Sequence, residues 1–184
     1  LATDLSAIGG KTAGAVTAAN AINITGTTAQ IKAALVTADT LVVAGAATAA
    51  ISDAEDTDIL ATDLSAIGGK TAGTVTAANA INITGSGTEV KAALVDTDTL
   101  VVAGAATVVI SGNPSITNLN SIAAKTDGAV TATLAATDAA TLSNITTAST
   151  DIITATINDV DNTDIAATVL SGIGGKTAGV VTAA

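Results

Sequence analysis

The sequence contains no Phe, Tyr, Trp, Met, Cys or His, and its six cations are all lysine. Each absence excludes something. Without cysteine there is no disulfide scaffold and no thiolate metal site. Without His and Cys, acid–base chemistry would fall to carboxylates or lysines, and no non-repeated place pairs them, so no enzyme is expected. Without aromatic rings, the largest contributors to a globular core, the interior must close with Ile, Val, Leu and Ala. A thin structure with shallow apolar layers suits that inventory. Net charge −10 leaves no cationic cluster for phosphates, which excludes a nucleic-acid partner. No apolar run approaches the ~18 residues of a membrane span, and no membrane insertion is expected. No signal peptide is visible, and the opening "LATDLSAIGG" starts in mid-motif, as a piece of a longer protein would.

What is present is Ala and Thr, 43 and 34 of the 184 residues, and a strong internal repeat. The 48% hydrophobic fraction argues for order. Residues 1–52 and 60–111 align without gaps at an offset of 59, with 42 of 52 positions identical. A Lys-Thr pair recurs at Lys11, Lys70, Lys125 and Lys176, at intervals of 59, 55 and 51. The chain divides into units 1–59, 60–118 and 119–169 and the start of a fourth, 170–184.

Each unit splits again into two coils, Gly14 to Leu35 and Thr40 to Gly69 in the first. Both open on short alternating apolar segments that predict strands: Val16 and Ala18, Ile22 and Ile24, then Leu41, Val43 and Ile51. Both close on helix signals. Thr27–Gln30 and Ser86–Glu89 have capping-box spacing, and Ile31 and Leu35 fall four apart. Leu60, Leu64 and Ile67 share one helical face, and Gly68 and Gly69 predict a left-handed C-terminal cap.

"SAIGGKT", Ser6 to Thr12, resembles the tail of a phosphate loop. Such a loop needs a further glycine where Leu5, Leu64 and Leu170 stand, each expected in the core, and one copy has Ala123 and Ala124 in place of both glycines. The motif therefore predicts a helix stop with Lys at the negative helix end, and no nucleotide partner. Acidic stretches at Asp53–Asp58 and Asp159–Asp164 make Asp53, Asp56, Asp58, Asp159, Asp161 and Asp164 candidate calcium ligands. Against an EF-hand, the second stretch has Asp164 where glycine is required and Leu170 where the bidentate Glu belongs. The competing expectation is a solvated loop whose Asp residues favour a helix N-terminus. "NIT" at Asn23, Asn82 and Asn144 matches the N-glycosylation pattern, but Asn23 is expected to stack on Asn82 within a strand ladder.

The unit "LATDLSAIGGKTAGTVTAANAINITGSGTEVKAAL" resembles the Thr/Ala/Val-rich tandem repeats of very large bacterial, often cyanobacterial, secreted surface proteins of the surface-layer, adhesin or haemolysin type. The resemblance covers essentially the whole chain. It implies an extracellular or cell-surface location and partners that are further repeats or copies of itself. The glycine-rich calcium nonapeptide of the haemolysin class is absent, so calcium is not carried over. The expected fold is a repeat solenoid of mixed strand and short-helix coils, two per 51–59-residue unit, with a parallel β-helix as the alternative. The expected role is a structural segment of a fibre, surface layer or adhesin stalk. The alternative role is an adhesive module for glycan, ice or another cell, using a flat Thr-rich face.

Overall fold

The computed structural model describes residues 1–161 and 163–184. Among them, the α-helices are short, eight residues each except the four-residue α6: Ala2–Gly9 (α1), Thr28–Leu35 (α2), Ala61–Gly68 (α3), Gly87–Leu94 (α4), Ile116–Ala123 (α5), Ala139–Leu142 (α6) and Ala167–Gly174 (α7). Strands fill the intervals: Val16–Thr17 (β1), Asn23–Gly26 (β2), Val42–Val43 (β3), Thr48–Ile51 (β4), Asp58–Leu60 (β5), Val75–Ala77 (β6), Asn82–Ser86 (β7), Val101–Val102 (β8), Thr107–Ser111 (β9), Val130–Thr133 (β10), Ile152–Ile157 (β11) and Val181–Ala183 (β12). The fold is mixed α/β with parallel sheets, and the described residues form no closed barrel.

Every strand pairing is parallel, as expected where a helix separates partners. In the four-stranded sheet β2-β4-β6-β8, Asn23 pairs with Thr48, Ala49 with Val75 and Val75 with Val101, so partners lie 25 or 26 residues apart. In the six-stranded sheet β5-β7-β9-β10-β11-β12 the step is 21 to 26 residues, from Asp58 and Asn82 through to Ala155 and Val181. One circuit of chain, here a pass, thus carries each strand to the next rung. The helices follow suit: α1 packs on α2, α2 on α3, α3 on α4, α4 on α5, and α6 on α7.

The core runs along this stack and is aliphatic throughout. Ile24, Ile31, Leu35, Leu64, Ile67, Ile83, Leu94, Leu119, Ile122, Leu142 and Ile153 are fully buried. Ala2, Ala34, Ala61 and Ala93 are buried on the helices, with the Ala2 and Ala61 methyls close to Gly26 and Gly85 at the strand ends.

Both expected capping boxes form. Thr27 accepts from the Gln30 amide and Gln30 returns to the Thr27 amide, and Ser86 and Glu89 do the same. Glu89 differs from Gln30 in charge, and the Ser86 backbone and hydroxyl hold its carboxyl below the usual carboxylate range. A folded pKa below the unfolded one contributes stability above the unfolded value and loses it as pH falls through the folded value. We therefore expect acid to loosen the start of α4 but not that of α2. Amide exchange at Ser86 and Thr27 checks this, and Glu89→Gln should remove the difference.

Other expectations are corrected. The helix-ending glycines Gly10, Gly69 and Gly175 are right-handed, with φ of −70°, −71° and −72°. Ala124 has the same geometry, so no left-handed cap is needed there. Leu60 is the N-cap of α3 rather than part of its buried face, and it is exposed. In β3 the alternation is displaced by one: Val42 points inward and Val43 outward. Leu64 is buried, but Leu5 is only half-buried and Leu170 is 41% exposed, because α1 and α7 each have one helix neighbour where α3 has two.

Candidate functional site

The recurring Lys-Thr-x-Gly turn is the site the fold builds most consistently. Lys11, Lys70, Lys125 and Lys176 follow α1, α3, α5 and α7, and each is exposed. At Thr71, Thr126 and Thr177 the adjacent threonine faces the other way. The Thr71 hydroxyl donates to the Ala47 carbonyl, with the Gly45 carbonyl 3.4 Å away, and accepts from the Gly73 amide at 3.1 Å. Thr126 repeats this on Ala106 and Gly104, with the Gly128 amide at 3.0 Å. Thr177 repeats it on Ile153 and Asp151, at 3.0 and 2.9 Å, with the Gly179 amide at 2.8 Å. One hydroxyl proton and two lone pairs suffice for this donor-plus-acceptor role. The grip lies 20 to 26 residues back along the chain, on the preceding pass.

The glycine two residues on is required by space. A Cβ on Gly73 would lie 2.6 Å from the Ala47 carbonyl carbon, and one on Gly128 or Gly179 equally close to that of Ala106 or Ile153. Backbone bonds finish the joint: Ala72, Asp127 and Ala178 donate to Gly45, Gly104 and Asp151 at 2.8, 2.7 and 2.7 Å. The parallel ladder begins immediately after, Ala49 donating to Thr74 and Val108 to Ala129, both at 3.0 Å. The Thr-x-Gly clasp therefore sets strand register between passes.

A second joint explains the first glycine of the pair at the ends of α1 and α3. The Thr40 and Thr99 hydroxyls donate to Ala33 and Ala92, which turns their carbonyls over Gly9 and Gly68. A Cβ on Gly9 would lie 2.6 Å from the Thr40 carbonyl carbon. Where Ala123 replaces this glycine, the next helix α6 has only four residues and the contact is made differently. Asn120 donates to the Asn144 carbonyl at 2.8 Å and accepts from the Thr146 amide at 2.9 Å. In the same shortened pass the buried Asp151 carboxylate accepts from the Val130 and Ala148 amides, both at 2.8 Å.

Loss of a clasp hydroxyl should be measurable. Thr126→Val leaves the Gly128 amide and the Ala106 carbonyl without their partner. We expect it to lower stability by ~1–3 kcal/mol. Thr12→Val should have a smaller effect, since the Thr12 hydroxyl bonds only the Gly14 amide within its own turn. Chemical denaturation of the two variants checks the contrast.

The acidic residues do not converge. No group of three or more Asp or Glu side chains is placed to hold a metal among the described residues. Asp53 accepts from the Thr28 amide and hydroxyl at 2.6 and 2.7 Å, and Asp159 from the Ala139 amide at 2.9 Å. Each caps the helix of the preceding pass rather than the helix that follows it in sequence. Between them in the chain, Pro114 occupies this place against Gly87. Asp56 adopts φ 59°, one of the few side chains that tolerate this, and its amide donates to Ala80 at 2.9 Å. Asp58 accepts from Asn82 at 3.2 Å, while Asp161 and Asp164 lie exposed. Asn162, inside the second acidic stretch, lies outside the described residues.

Asn23 does not stack on Asn82, because the two lie in different sheets. Instead Thr48 donates to Asn23 at 3.2 Å, and Thr107 donates to Asn82 on the following pass. Asn144 lies in the turn after α6, where its side chain donates to Ala140 and Thr141 at 3.2 and 3.1 Å.

A groove of about 580 Å³ lies over the clasp, between Gly45, Lys70, Thr71, Asp98 and Val102. The equivalent groove recurs 59 residues earlier at Gly9, Thr12, Asp39 and Val43. No helix of the described residues is long and apolar enough to cross a membrane. Comparison with protein-family models, with curated proteins and with solved structures gives no match.

Proposed function

We propose that this chain is a structural, non-enzymatic segment: a repeat solenoid with two passes per unit, belonging to an extracellular bacterial fibre, surface layer or adhesin stalk. The observation that carries the reading is the Thr-x-Gly clasp, made three times: each hydroxyl accepts from the glycine amide of its own turn and meets two carbonyls of the preceding pass, and Thr177 also accepts from the Ile153 amide. The most repeated chemistry of the chain thus joins one pass to the next. In such an array stability is a sum of unit and nearest-neighbour terms, and length can grow without a new core.

The polar groups support the same reading. Thr, Asn and Asp side chains bind backbone within the stack, as at Asp53, Asn82 and Thr177, and are thereby committed to structure. Lys32 pairs with Asp63 across α2 and α3, a partly exposed contact of modest worth that also links successive passes. Further repeats of the same chain are the partners this chemistry suits.

Immunogold labelling of the producing cells with an antibody against this segment tests the role. Label on surface fibres or a surface lattice is the expected result. Label confined to the cell interior would sink it.

A further inference from the structure

We infer that the outward face of the six-stranded sheet is a lateral contact surface for a second copy of this chain. It deepens the structural reading above and rests on it for the choice of occupant. Following the strand register, one outward row reads Leu60, Thr84, Val109, Thr131, Ile152. Leu60, Val109 and Ile152 are 56%, 46% and 46% exposed, and the two threonines between them are half-buried. Such a line of large apolar side chains on a strand face is a signature of contact.

Charge selects the surface. A chain of net charge −10 repels its own copies wherever carboxylates line the approach. The six strands of this sheet carry a single charged residue, Asp58, at the edge strand. The four-stranded sheet is also uncharged, but its row Thr25, Ala50, Thr76, Val102 has one large apolar residue, at one end.

Pattern selects the partner. The row reads nearly the same from either end, aliphatic and threonine alternating about Val109. A two-fold axis along β9 would set Leu60 opposite Ile152 of the second copy, Thr84 opposite Thr131, and Val109 against Val109. The next outward positions would bring Ser86 opposite Thr133 and Ser111 against Ser111, hydroxyl to hydroxyl. The two Asp58 residues fall at opposite ends and never face each other. This is the self-complementarity an isologous interface requires. The complete absence of aromatic rings leaves no stacking platform for sugars, which disfavours a glycan in the same place.

Five strands at about 4.8 Å spacing, averaging about 15 Å in length, offer roughly 360 Å² per copy. That is below the roughly 800 Å² per partner of a stable complex, so one segment should dimerise weakly and arrays more tightly.

Sedimentation velocity over a wide concentration range, at low and high salt, tests the inference. The expected result is a weak dimer, strengthened by salt as the like charges are screened. Val109→Asp and Ser111→Asp, both exposed and on the axis, should each abolish it without changing thermal unfolding. Ala50→Asp on the other sheet should leave it intact. Monomer at every concentration would overturn the inference, as would a dimer that survives both axis variants or is lost equally in Ala50→Asp. Long end-to-end polymers that survive the axis variants would overturn this surface and leave the stacking of repeats standing.

Discussion

Gly73→Ala and Gly128→Ala should each lower stability by ~3 kcal/mol or more, whereas Gly14→Ala should leave it unchanged or raise it by ~0.4–1 kcal/mol. The three glycines occupy the same place in successive units and share the Thr-x-Gly pattern. Among the described glycines only Gly112 has a positive φ, so alanine meets no backbone strain at any of the three. What differs is the neighbour. At Gly73 and Gly128 the new Cβ meets the carbonyl of Ala47 or Ala106, backbone that is already held by a threonine hydroxyl and cannot swing aside. At Gly14 the nearest atom is the Thr12 hydroxyl at 3.4 Å, an ordinary contact. The same substitution thus reverses sign with the presence of a preceding pass. Equal effects at all three positions, measured by denaturant unfolding, would show that conformational freedom rather than close approach explains the glycine.

Leu64→Ala should lower stability by ~2–5 kcal/mol, and the equivalent Leu170→Ala by about 1 kcal/mol or less. Leu64 is fully buried between helices on both sides, so its removal leaves a cavity that the thin core cannot close. Leu170 belongs to α7, packs against one helix neighbour, and is 41% exposed, so water fills the space it leaves. Thermal unfolding of the two variants gives the comparison. Similar losses would mean that burial is uniform along the stack, contrary to the layered account.

The sequence made local features legible where one pass contains all the partners. Thr27–Gln30 and Ser86–Glu89 cap their helices as their spacing implies, and Ile31, Leu35 and Leu64 are buried. Features that depend on the neighbouring pass were not legible in the same way. "IGGKT" reads as a helix stop because the helix does end there, but its first glycine, Gly9 or Gly68, serves the approach of Thr40 or Thr99 from the next pass. The Asp53 and Asp159 caps reach back 25 and 20 residues, so reading forward assigns them to the wrong helix. The alternation from Leu41 puts Val43 inward, but a two-residue strand carries too little alternation to fix its phase. One signal was available. The copy that replaces both helix-ending glycines with Ala123 and Ala124 keeps Thr126 and Gly128, which separates the clasp from the helix stop.

If, as proposed, clasps join passes into a linear array, the length of the molecule reports it. A second copy of residues 60–114, inserted after Pro114 in the turn before α5, adds two passes, and small-angle scattering reads the change in maximum dimension. At about 4.8 Å per strand rung, the account requires an increase of roughly 10 Å with an unchanged cross-section. An increase of cross-section with little gain in length, or a domain-sized step of roughly 25 Å or more for one added unit, would contradict it.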